Sequence, residues 1–125
     1  MGAGEDPGGA MKTILVVDDE VDIAATLAEF LELSGYRVVV AHDGREGLQK
    51  ALEATPDLVI TDLMMPHMDG DELVARLREN AATKEIPVVM MSATRRLFVA
   101  PYLRKPFRAD QLLKTVEEAL TAPSG

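Results

Sequence analysis

The chain has no cysteine among its 125 residues, which excludes a disulfide framework and any thiolate metal site. It is also poor in basic residues, because 13 Lys and Arg stand against 21 Asp and Glu, for a formal charge of -8. A surface of that sign disfavours direct binding to nucleic acid or to an anionic membrane. Its hydrophobic runs are far too short to span a bilayer, and the first residues lack the pattern of a secretory signal. We therefore expect a cytoplasmic protein without membrane insertion.

Length and composition indicate one globular domain. A chain of 125 residues fits the usual range of roughly 100 to 200 residues per domain. Its 47% hydrophobic and 27% charged residues are typical of a soluble protein with a core of moderate size. Residues 1–10 hold four glycines, one proline and two acids, and we predict that they form a flexible leader. Residues 122–125 are predicted to be a flexible tail, which leaves residues 11–121 as the folded domain.

Two patterns of apolar residues alternate along the chain: short uninterrupted runs and segments with helical spacing. Short apolar runs without polar alternation lie at residues 14–17, 38–40, 58–60 and 88–91, and such runs predict strands buried on both faces of a parallel sheet. The segments between and after them carry apolar residues at helical spacing. Their predicted inward residues are Ile23, Leu27, Phe30 and Leu31, then Leu48, Ala51 and Leu52, then Leu73, Val74 and Leu77, and finally Leu112, Leu113, Val116 and Leu120. Alternating strands and helices predict an open α/β sheet with the carboxyl ends of its strands at one edge.

Chemically active side chains follow the predicted strands directly. Asp18 and Asp19 come after the first strand, and Asp62 comes after the third. If these strands are neighbours, three carboxylates repel one another at one edge, an arrangement that requires a cation. Oxygen ligands at an accessible edge favour Mg²⁺, which shares a phosphate oxygen readily. Because Lys105 and Ser92 add a fixed positive charge and a hydroxyl at the same edge, the set predicts phosphoryl transfer onto aspartate.

Four motifs lie in order, each at the end of a predicted strand. They are Val-Val-Asp-Asp-Glu at 16–20, Asp-Leu-Met-Met-Pro-x-Met-Asp-Gly at 62–70, Ser-Ala at 92–93 and Lys-Pro-Phe at 105–107. With these motifs, residues 12–120 resemble the response-regulator receiver domains of two-component signalling, and in particular the chemotaxis-type, single-domain members. The resemblance implies a flavodoxin-like, doubly wound α/β fold with five parallel strands in the order 2-1-3-4-5.

The resemblance also implies a role for each motif residue. Asp62 is expected to accept the phosphoryl group, and Asp19, with Asp18 nearby, is expected to hold Mg²⁺ together with Asp62 and the main-chain carbonyl of Met64. Lys105 is expected to pair with a phosphoryl oxygen. The implied donor is a sensor histidine kinase or a phosphotransfer protein, and the implied receiver of the signal is a downstream protein target. Such a chain catalyses only its own phosphorylation and dephosphorylation.

The same resemblance implies a switch. Phosphorylation adds about two negative charges and three acceptor oxygens, and Ser92 and Lys105 can bond them only after a shift. Tyr102, three residues before Lys105, stands where the family has an aromatic residue that turns inward when the hydroxyl residue moves. The peptide bond between Lys105 and Pro106 is expected to be cis.

The connection between the fourth predicted strand, which ends near Ser92, and a fifth strand, which we expect to begin near Tyr102, departs from the family pattern. Only the nine residues 93–101 separate the two strands, whereas a parallel crossover normally takes about a dozen or more residues, usually with a helix. We therefore expect the family's fourth helix to be missing or reduced to a turn. Leu97, Phe98 and Val99, or another copy of the chain in a homodimer, would then cover that face of the sheet. This predicts an unusual signalling surface.

Simpler interpretations stand beside these predictions. The acids at 18–20 are also suited to starting a helix, and Ser92 and Tyr102 are also typical of a turn and of the core. Two other functions compete with the phosphoacceptor. The first is a degenerate receiver that binds partners without phosphorylation, which the short fourth crossover favours and the intact acids oppose. The second is an aspartate-nucleophile phosphatase, which requires a second acid two residues after the nucleophile, where Met64 stands.

Overall fold

A computed structural model describes residues 11–93 and 101–121 of the chain. These residues form five β-strands and four α-helices. In chain order they are β1 Thr13–Val17, α1 Val21–Leu33, β2 Arg37–Ala41, α2 Gly44–Ala54, β3 Leu58–Asp62, α3 Gly70–Arg78, β4 Val88–Ser92, β5 Tyr102–Arg104 and α4 Ala109–Thr121. The predicted alternation of strands and helices is confirmed.

The five strands form one parallel sheet in the order β2-β1-β3-β4-β5. This confirms the flavodoxin-like, doubly wound fold. Strand order reverses at β1, because the chain leaves β1 for β2 on one side and then crosses to β3 on the other. At such a reversal the connections diverge to opposite faces and leave a crevice beyond the carboxyl ends of the strands.

Each face of the sheet carries its own hydrophobic layer. Successive residues of a strand point to opposite faces. In β1, Ile14 and Val16 therefore pack with residues of α1 and α4, whereas Leu15 and Val17 pack with residues of α2 and α3. Because β1, β3 and β4 are covered on both faces, each of them needs apolar residues at consecutive positions. This explains the short uninterrupted runs in the sequence.

Side-chain caps fix the starts of two helices. Asp43 Oδ1 accepts a hydrogen bond from the backbone N–H of Glu46 at 2.8 Å at the start of α2. Asp69 Oδ1 accepts one from Glu72 N–H at 2.9 Å at the start of α3. Such caps satisfy N–H groups that have no partner inside the helix. These caps fix the first residues of α2 and α3, Gly44 and Gly70.

Two burial predictions need correction. Leu52 was expected to face inward, but its side chain is 39% exposed. The buried stripe of α2 runs instead through Gly44, Gly47 and Ala51, and Leu52 lies about 100° around the helix from Ala51. The run 38–40 is only half-buried, because β2 is an edge strand of the sheet.

The connection from β4 to β5 is as short as the sequence indicates. β4 ends at Ser92 and β5 begins at Tyr102, and the four helices of the described residues agree with a missing or reduced helix between these strands. Residues 94–100, with the predicted covering roles of Leu97, Phe98 and Val99, lie outside the described residues.

The predicted leader at residues 1–10 and the predicted tail at residues 122–125 also lie outside the described residues. In the stretches 11–93 and 101–121, no helix combines the length and the apolar character needed to cross a membrane.

Candidate functional site

Asp18 and Asp62 meet because β1 and β3 are neighbours in register. Val17 pairs with Thr61, so the residue after β1 lies beside the last residue of β3. The backbone N–H of Asp18 donates to the carbonyl of Ala41 at 3.0 Å, which also holds this end of the chain against β2. Asp18 is fully buried and Asp62 is 8% exposed. Two carboxylates therefore lie in the crevice where the strand order reverses.

Asp19 completes a cluster of three carboxylates. Asp18, Asp19 and Asp62 each offer one oxygen, and these oxygens all lie within 4.8 Å of one another. Asp19 is exposed, so one side of the cluster is open to water. A set of oxygen donors with one open side fits a divalent cation that keeps part of its water shell, as Mg²⁺ does.

Lys105 brings a positive charge to the same place from β5. Its Nζ lies 3.3 Å from Asp18 Oδ2, 3.4 Å from Asp62 Oδ2 and 3.9 Å from Glu20 Oε1. Its backbone N–H donates to the carbonyl of Ser92 at 2.8 Å, and the peptide bond to Pro106 is cis. The end of β4 therefore sets the position from which the lysine reaches the acids.

The pKa values reflect this crowding. Burial, opposed by the charge of Lys105 and assisted by that of Asp18, raises the pKa of Asp62 from 3.8 to about 6. Burial would lower the pKa of Lys105, but the carboxylates of Asp62 and Asp18 outweigh it and raise that pKa. The lysine is therefore a permanent cation at neutral pH, whereas Asp62 carries a charge that the protein stabilises poorly. A cation at the cluster would relieve that cost.

Asp18 also helps to start α1. Its Oδ1 accepts a hydrogen bond from the backbone N–H of Glu20 at 2.9 Å. Glu20 is the residue before the helix and makes no capping bond with its own side chain. The simpler interpretation of these acids, as a helix start, is thus correct for Asp18. This bond uses Oδ1 and leaves Asp18 Oδ2 toward the cluster, where Lys105 Nζ donates to it at 3.3 Å.

The remaining predicted residues lie around the cluster. Ser92 is the last residue of β4 and is 2% exposed. Tyr102 begins β5, is half-buried and pairs in register with Met90, two positions before the end of β4. The side chain of Met64 is 69% exposed in the loop between β3 and α3. The structure therefore brings Asp18, Asp19, Asp62 and Lys105 together. Ser92 lies at the same edge of the sheet, and Tyr102 lies two residue positions away from that edge.

A glycine lets the loop after Asp62 fold back on the strand. The N–H of Gly70 donates to the carbonyl of Leu63 at 2.8 Å. A Cβ at Gly70 would lie 2.6 Å from the carbonyl oxygen of Asp62 and 3.0 Å from the Cα of Leu63. Because both atoms belong to the backbone, only glycine fits here without moving the end of β3.

Two residues near the acids had no role in the sequence predictions. Glu20 lies 3.9 Å from Lys105, and His42 places its Nδ1 3.2 Å from the carbonyl oxygen of Asp18. Both had a detectable signal, because each follows closely on a predicted strand whose carboxyl end lies at the site edge. Glu20 belongs to the motif at 16–20 but is given no role of its own at the cluster, and His42 lies outside the receiver motifs.

A groove of about 520 Å³ opens beside the site, between α1 and the segment after β5. Its lining includes Ile23, Thr26 and Leu27 of α1, and Lys105, Pro106 and Phe107 from the other side. The wall is mostly apolar and ends at the lysine that contacts Asp62. A partner that reaches Asp62 from this side would therefore find an apolar surface next to a charged pocket.

The sequence of the chain matches a known family over most of its length. Residues 14–117 match the response regulator receiver domain. The chain is 33% identical over 113 residues to Protein PilG of Pseudomonas aeruginosa, which covers 83% of this chain and 84% of that protein. It is 38% identical over 117 residues to Hybrid signal transduction histidine kinase D of Dictyostelium discoideum, covering 86% of this chain but 8% of that protein. It also spans about half the length of several transcriptional regulators that it matches.

Solved structures agree with this assignment. Chemotaxis protein CheY4 of Vibrio cholerae superposes with a TM-score of 0.84 at 35% identity, covering 89% of this chain and 100% of that one. The receiver domain of sensor histidine kinase PA1611 from Pseudomonas aeruginosa, with a magnesium ion coordinated in its active site cleft, has a TM-score of 0.84. At 22% identity, with 90% and 100% coverage, that likeness concerns the fold alone. The match of residues 14–117 to the family shows that the chain belongs to the response regulator receiver domain family.

Proposed function

We propose that the chain is a phosphoacceptor of two-component signalling. Asp62 receives a phosphoryl group from a phosphohistidine on a sensor histidine kinase or a phosphotransfer protein, with Mg²⁺ as cofactor. The phosphorylated chain then signals through contact with a downstream protein. One observation carries the proposal: three carboxylates offer oxygens within 4.8 Å of one another, and Lys105 Nζ lies 3.4 Å from the acceptor carboxylate.

The transfer is a displacement at phosphorus. A carboxylate oxygen of Asp62 attacks, and a P–O bond forms while the P–N bond to the donor imidazole breaks. The electron pair of the broken bond stays on the imidazole nitrogen. The product is an acyl phosphate on Asp62, and attack by water later restores the carboxylate and releases inorganic phosphate. The chain therefore catalyses only its own modification and converts no separate metabolite.

Four groups of the chain are suited to hold the cation. They are the carboxylates of Asp18, Asp19 and Asp62 and the main-chain carbonyl of Met64. Bound Mg²⁺ supplies charge neutralisation between the acceptor carboxylate and the incoming phosphoryl group. The arrangement of the acids supports this assignment, because a buried and a nearly buried carboxylate face each other beside an exposed one.

Lys105 and Ser92 bind the phosphoryl group once it is in place. Lys105 already faces the acceptor oxygen, and its raised pKa keeps it protonated at neutral pH. Ser92 directly follows Met91, the register partner of Asp62 in β4, which supports a role for its hydroxyl as a donor to a phosphoryl oxygen. The pair supplies two donors to a group that gains about two negative charges.

Phosphorylation also gives the chain a physical means of signalling. The added oxygens compete for Lys105, which in the unmodified chain contacts three carboxylates. A shift of Ser92 toward the phosphoryl group leaves room next to β5, into which Tyr102 turns. The modification thus biases two arrangements of the same surface. The downstream target recognises the arrangement that phosphorylation favours.

The groove beside α1 is the docking surface that we assign to the phosphodonor protein. It begins at Lys105 and continues along apolar residues of α1. A helix or loop that carries a phosphohistidine can bury apolar side chains there while its imidazole reaches Asp62. The groove thus gives selectivity for a protein donor, which a small phosphodonor does not need.

Intact mass spectrometry tests the proposal. The protein is incubated with Mg²⁺ and a small acyl phosphate, and we expect wild type to gain the mass of one phosphoryl group. We expect no gain for Asp62→Asn, and none for wild type when a chelator removes Mg²⁺. Asp57→Asn is the matched control, because Asp57 is an exposed acid at the opposite end of β3, and it should be modified as fully as wild type.

The same experiment separates the competing functions. A degenerate receiver would show no added mass under any condition. An aspartate-nucleophile phosphatase would release phosphate from a generic phosphate ester in amounts well above one equivalent. Modification that persists in Asp62→Asn would contradict the assignment of the acceptor.

A further inference from the structure

His42 lies at the edge of the acids but takes no part in the proposed transfer. It directly follows β2 and is half-buried. Its Nδ1 lies 3.2 Å from the main-chain oxygen of Asp18. A carbonyl oxygen can only accept, so the hydrogen bond requires a proton on Nδ1. The imidazole is therefore a directed donor to the backbone of the site.

The backbone of His42 is itself firmly held. Its N–H donates to Glu46 Oε1 at 2.8 Å, and this bond is the largest cause of the lowered pKa of Glu46. Glu46 Oε2 in turn lies 3.2 Å from Lys50 Nζ. Lys50 donates to the carbonyl of Val40 at 2.7 Å. The first turn of α2 and the end of β2 thus fix the residue that carries the imidazole.

The bond from His42 acts at the junction of two acids. The carbonyl of Asp18 and the N–H of Asp19 belong to one planar peptide unit. Without the bond from His42, this unit and the backbone at Asp19, which carries the exposed carboxylate of the cluster, lose one of their restraints. The side chain of Asp18 is held independently, by the N–H of Glu20 and by Lys105.

We propose that His42 is a positioning residue for the cation site. Its Nδ1–H holds the peptide between Asp18 and Asp19 so that the carboxylates of Asp19 and Asp62 face the same ion. The inference rests on the proposed function, because it concerns the Mg²⁺ that phosphotransfer requires. It extends that function by giving a role to a residue outside the receiver motifs.

Three substitutions separate positioning from general stability. His42→Asn keeps an amide N–H close to the place of Nδ1, whereas His42→Gln moves the amide toward the place of Nε2. His42→Ala removes the donor. Mg²⁺ titrations by calorimetry at pH 8, with thermal unfolding of the same metal-free samples, measure affinity and stability separately. We expect Mg²⁺ affinity to fall about three- to tenfold for Ala and Gln, the worth of one hydrogen bond, and to stay within about twofold of wild type for Asn.

A metal-free measurement provides the second readout. The amide nitrogen of Asp19 shares its peptide with the carbonyl that His42 bonds, so its NMR resonance reports that bond directly. We expect this resonance to move in the Ala and Gln variants and to stay close to wild type in Asn. Equal Mg²⁺ affinity and an equal Asp19 resonance in all four proteins would overturn the inference, as would an Asn variant that behaves like Ala.

Failure of the proposed function has a different signature. If wild type itself does not bind Mg²⁺, the phosphoacceptor proposal is wrong, and a role for His42 at a cation site is wrong with it. If wild type binds Mg²⁺ and is phosphorylated while the variants match it, only the role of His42 is overturned. Thermal unfolding that changes equally in Asn, Gln and Ala, with unchanged Mg²⁺ affinity, would show that the residue serves the fold alone.

Discussion

The two halves of the sheet are built very differently. β1 and β3 have five residues each and are buried almost throughout, and Asp18 directly follows β1 whereas Asp62 is the last residue of β3. On the other side, β5 has three residues, of which only Leu103 is buried. The connection from β4 to β5 contains nine residues, whereas the one from β2 to β3 contains 16. Asp62 thus lies in the strongly buried half, which β1 and β3 form. The other half ends in β5, which is an abbreviated edge.

This contrast shows that, among the described residues, the abbreviated edge brings a single charged side chain, that of Lys105, to the carboxylates. The three carboxylates follow from the register of β1 and β3 alone. The β5 side contributes Lys105, which is placed by one backbone bond to Ser92 and by the residues that surround it. We therefore expect acceptor chemistry to tolerate a shortened crossover, and we expect a signalling surface built on that crossover to differ from the usual one.

The largest expected effect compares core residues of the two halves. Ile60 of β3 is fully buried, and Leu103 of β5 is nearly so, in the same hydrophobic layer. We expect Ile60→Ala to lower the free energy of unfolding by about 4 kcal/mol and Leu103→Ala by about 2 kcal/mol, because an edge strand can relax around a cavity. Urea unfolding measures both.

Leu33→Ala is the control for that pair, because Leu33 is 82% exposed and its loss should change stability by less than about 0.5 kcal/mol. A loss at Leu103 equal to that at Ile60 would show that the two halves are equally important to stability.

The second effect tests what the abbreviated half gives to the site. Lys105→Ala should slow phosphorylation by a small acyl phosphate roughly 100-fold, because a fixed donor to the developing charge is lost. The time course of intact mass measures the rate. Lys114→Ala, an exposed lysine on α4, should keep the wild-type rate. If Lys105→Ala also keeps the wild-type rate, the lysine that follows β5 is not needed for phosphorylation.

The third effect concerns the free energy of unfolding that the fold loses by burying the ionised carboxylate of Asp62 at the end of β3. The pKa of Asp62 is raised from 3.8 to about 6, so the folded state binds this proton more tightly than the unfolded chain does. The ionised carboxylate therefore destabilises the fold above pH 6, and that cost disappears as pH falls toward 4. Without Mg²⁺, Asp62→Asn should raise the free energy of unfolding by about 1 to 3 kcal/mol at pH 7.5, and by almost nothing at pH 4.

Urea unfolding at the two pH values measures this difference. Glu29→Gln, at an exposed position of α1, should show no comparable gain at either pH. A variant Asp62→Asn that is less stable than wild type at pH 7.5 would contradict the cost assigned to the buried carboxylate.

The smallest effect concerns docking of a phosphodonor protein in the groove between α1 and the segment after β5. Thr26→Arg places a long charged side chain in the groove, and we expect it to slow transfer from a phosphohistidine protein roughly tenfold through loss of docking contacts. Phosphorylation by a small acyl phosphate should not change. Ala25→Arg, at the adjacent exposed position of α1 outside the groove lining, should leave both rates unchanged. Equal slowing by both donors would mean that the substitution disturbs the site itself.

Much of the fold could be predicted because local signals agreed with one another. The apolar runs marked four of the five strands, and Asp43 and Asp69 stand at the starts of helices where caps are favoured. β5 was harder, since three residues of an edge strand leave almost no periodicity. The inward position of Leu52 was wrong because hydrophobic spacing alone cannot tell which side of a stripe meets the sheet.

The candidate site could be predicted only in its motif residues. Asp18, Asp19 and Asp62 follow strands directly, so their meeting requires nothing but the strand order. His42 also follows a predicted strand closely, but its contact with the Asp18 carbonyl depends on a side-chain direction that no spacing rule provides. The pKa of Asp62 could not be predicted either, because it results from burial and from the balance between Lys105 and Asp18.

Chemical identification of the modified residue tests the central claim most directly. The phosphorylated protein is reduced with borohydride, which converts an aspartyl phosphate to homoserine, and its peptides are then sequenced by mass spectrometry. We predict homoserine at position 62 alone, and only when Mg²⁺ was present during phosphorylation. Homoserine at position 18 or 19, or its absence from position 62 in a fully modified protein, would contradict the account.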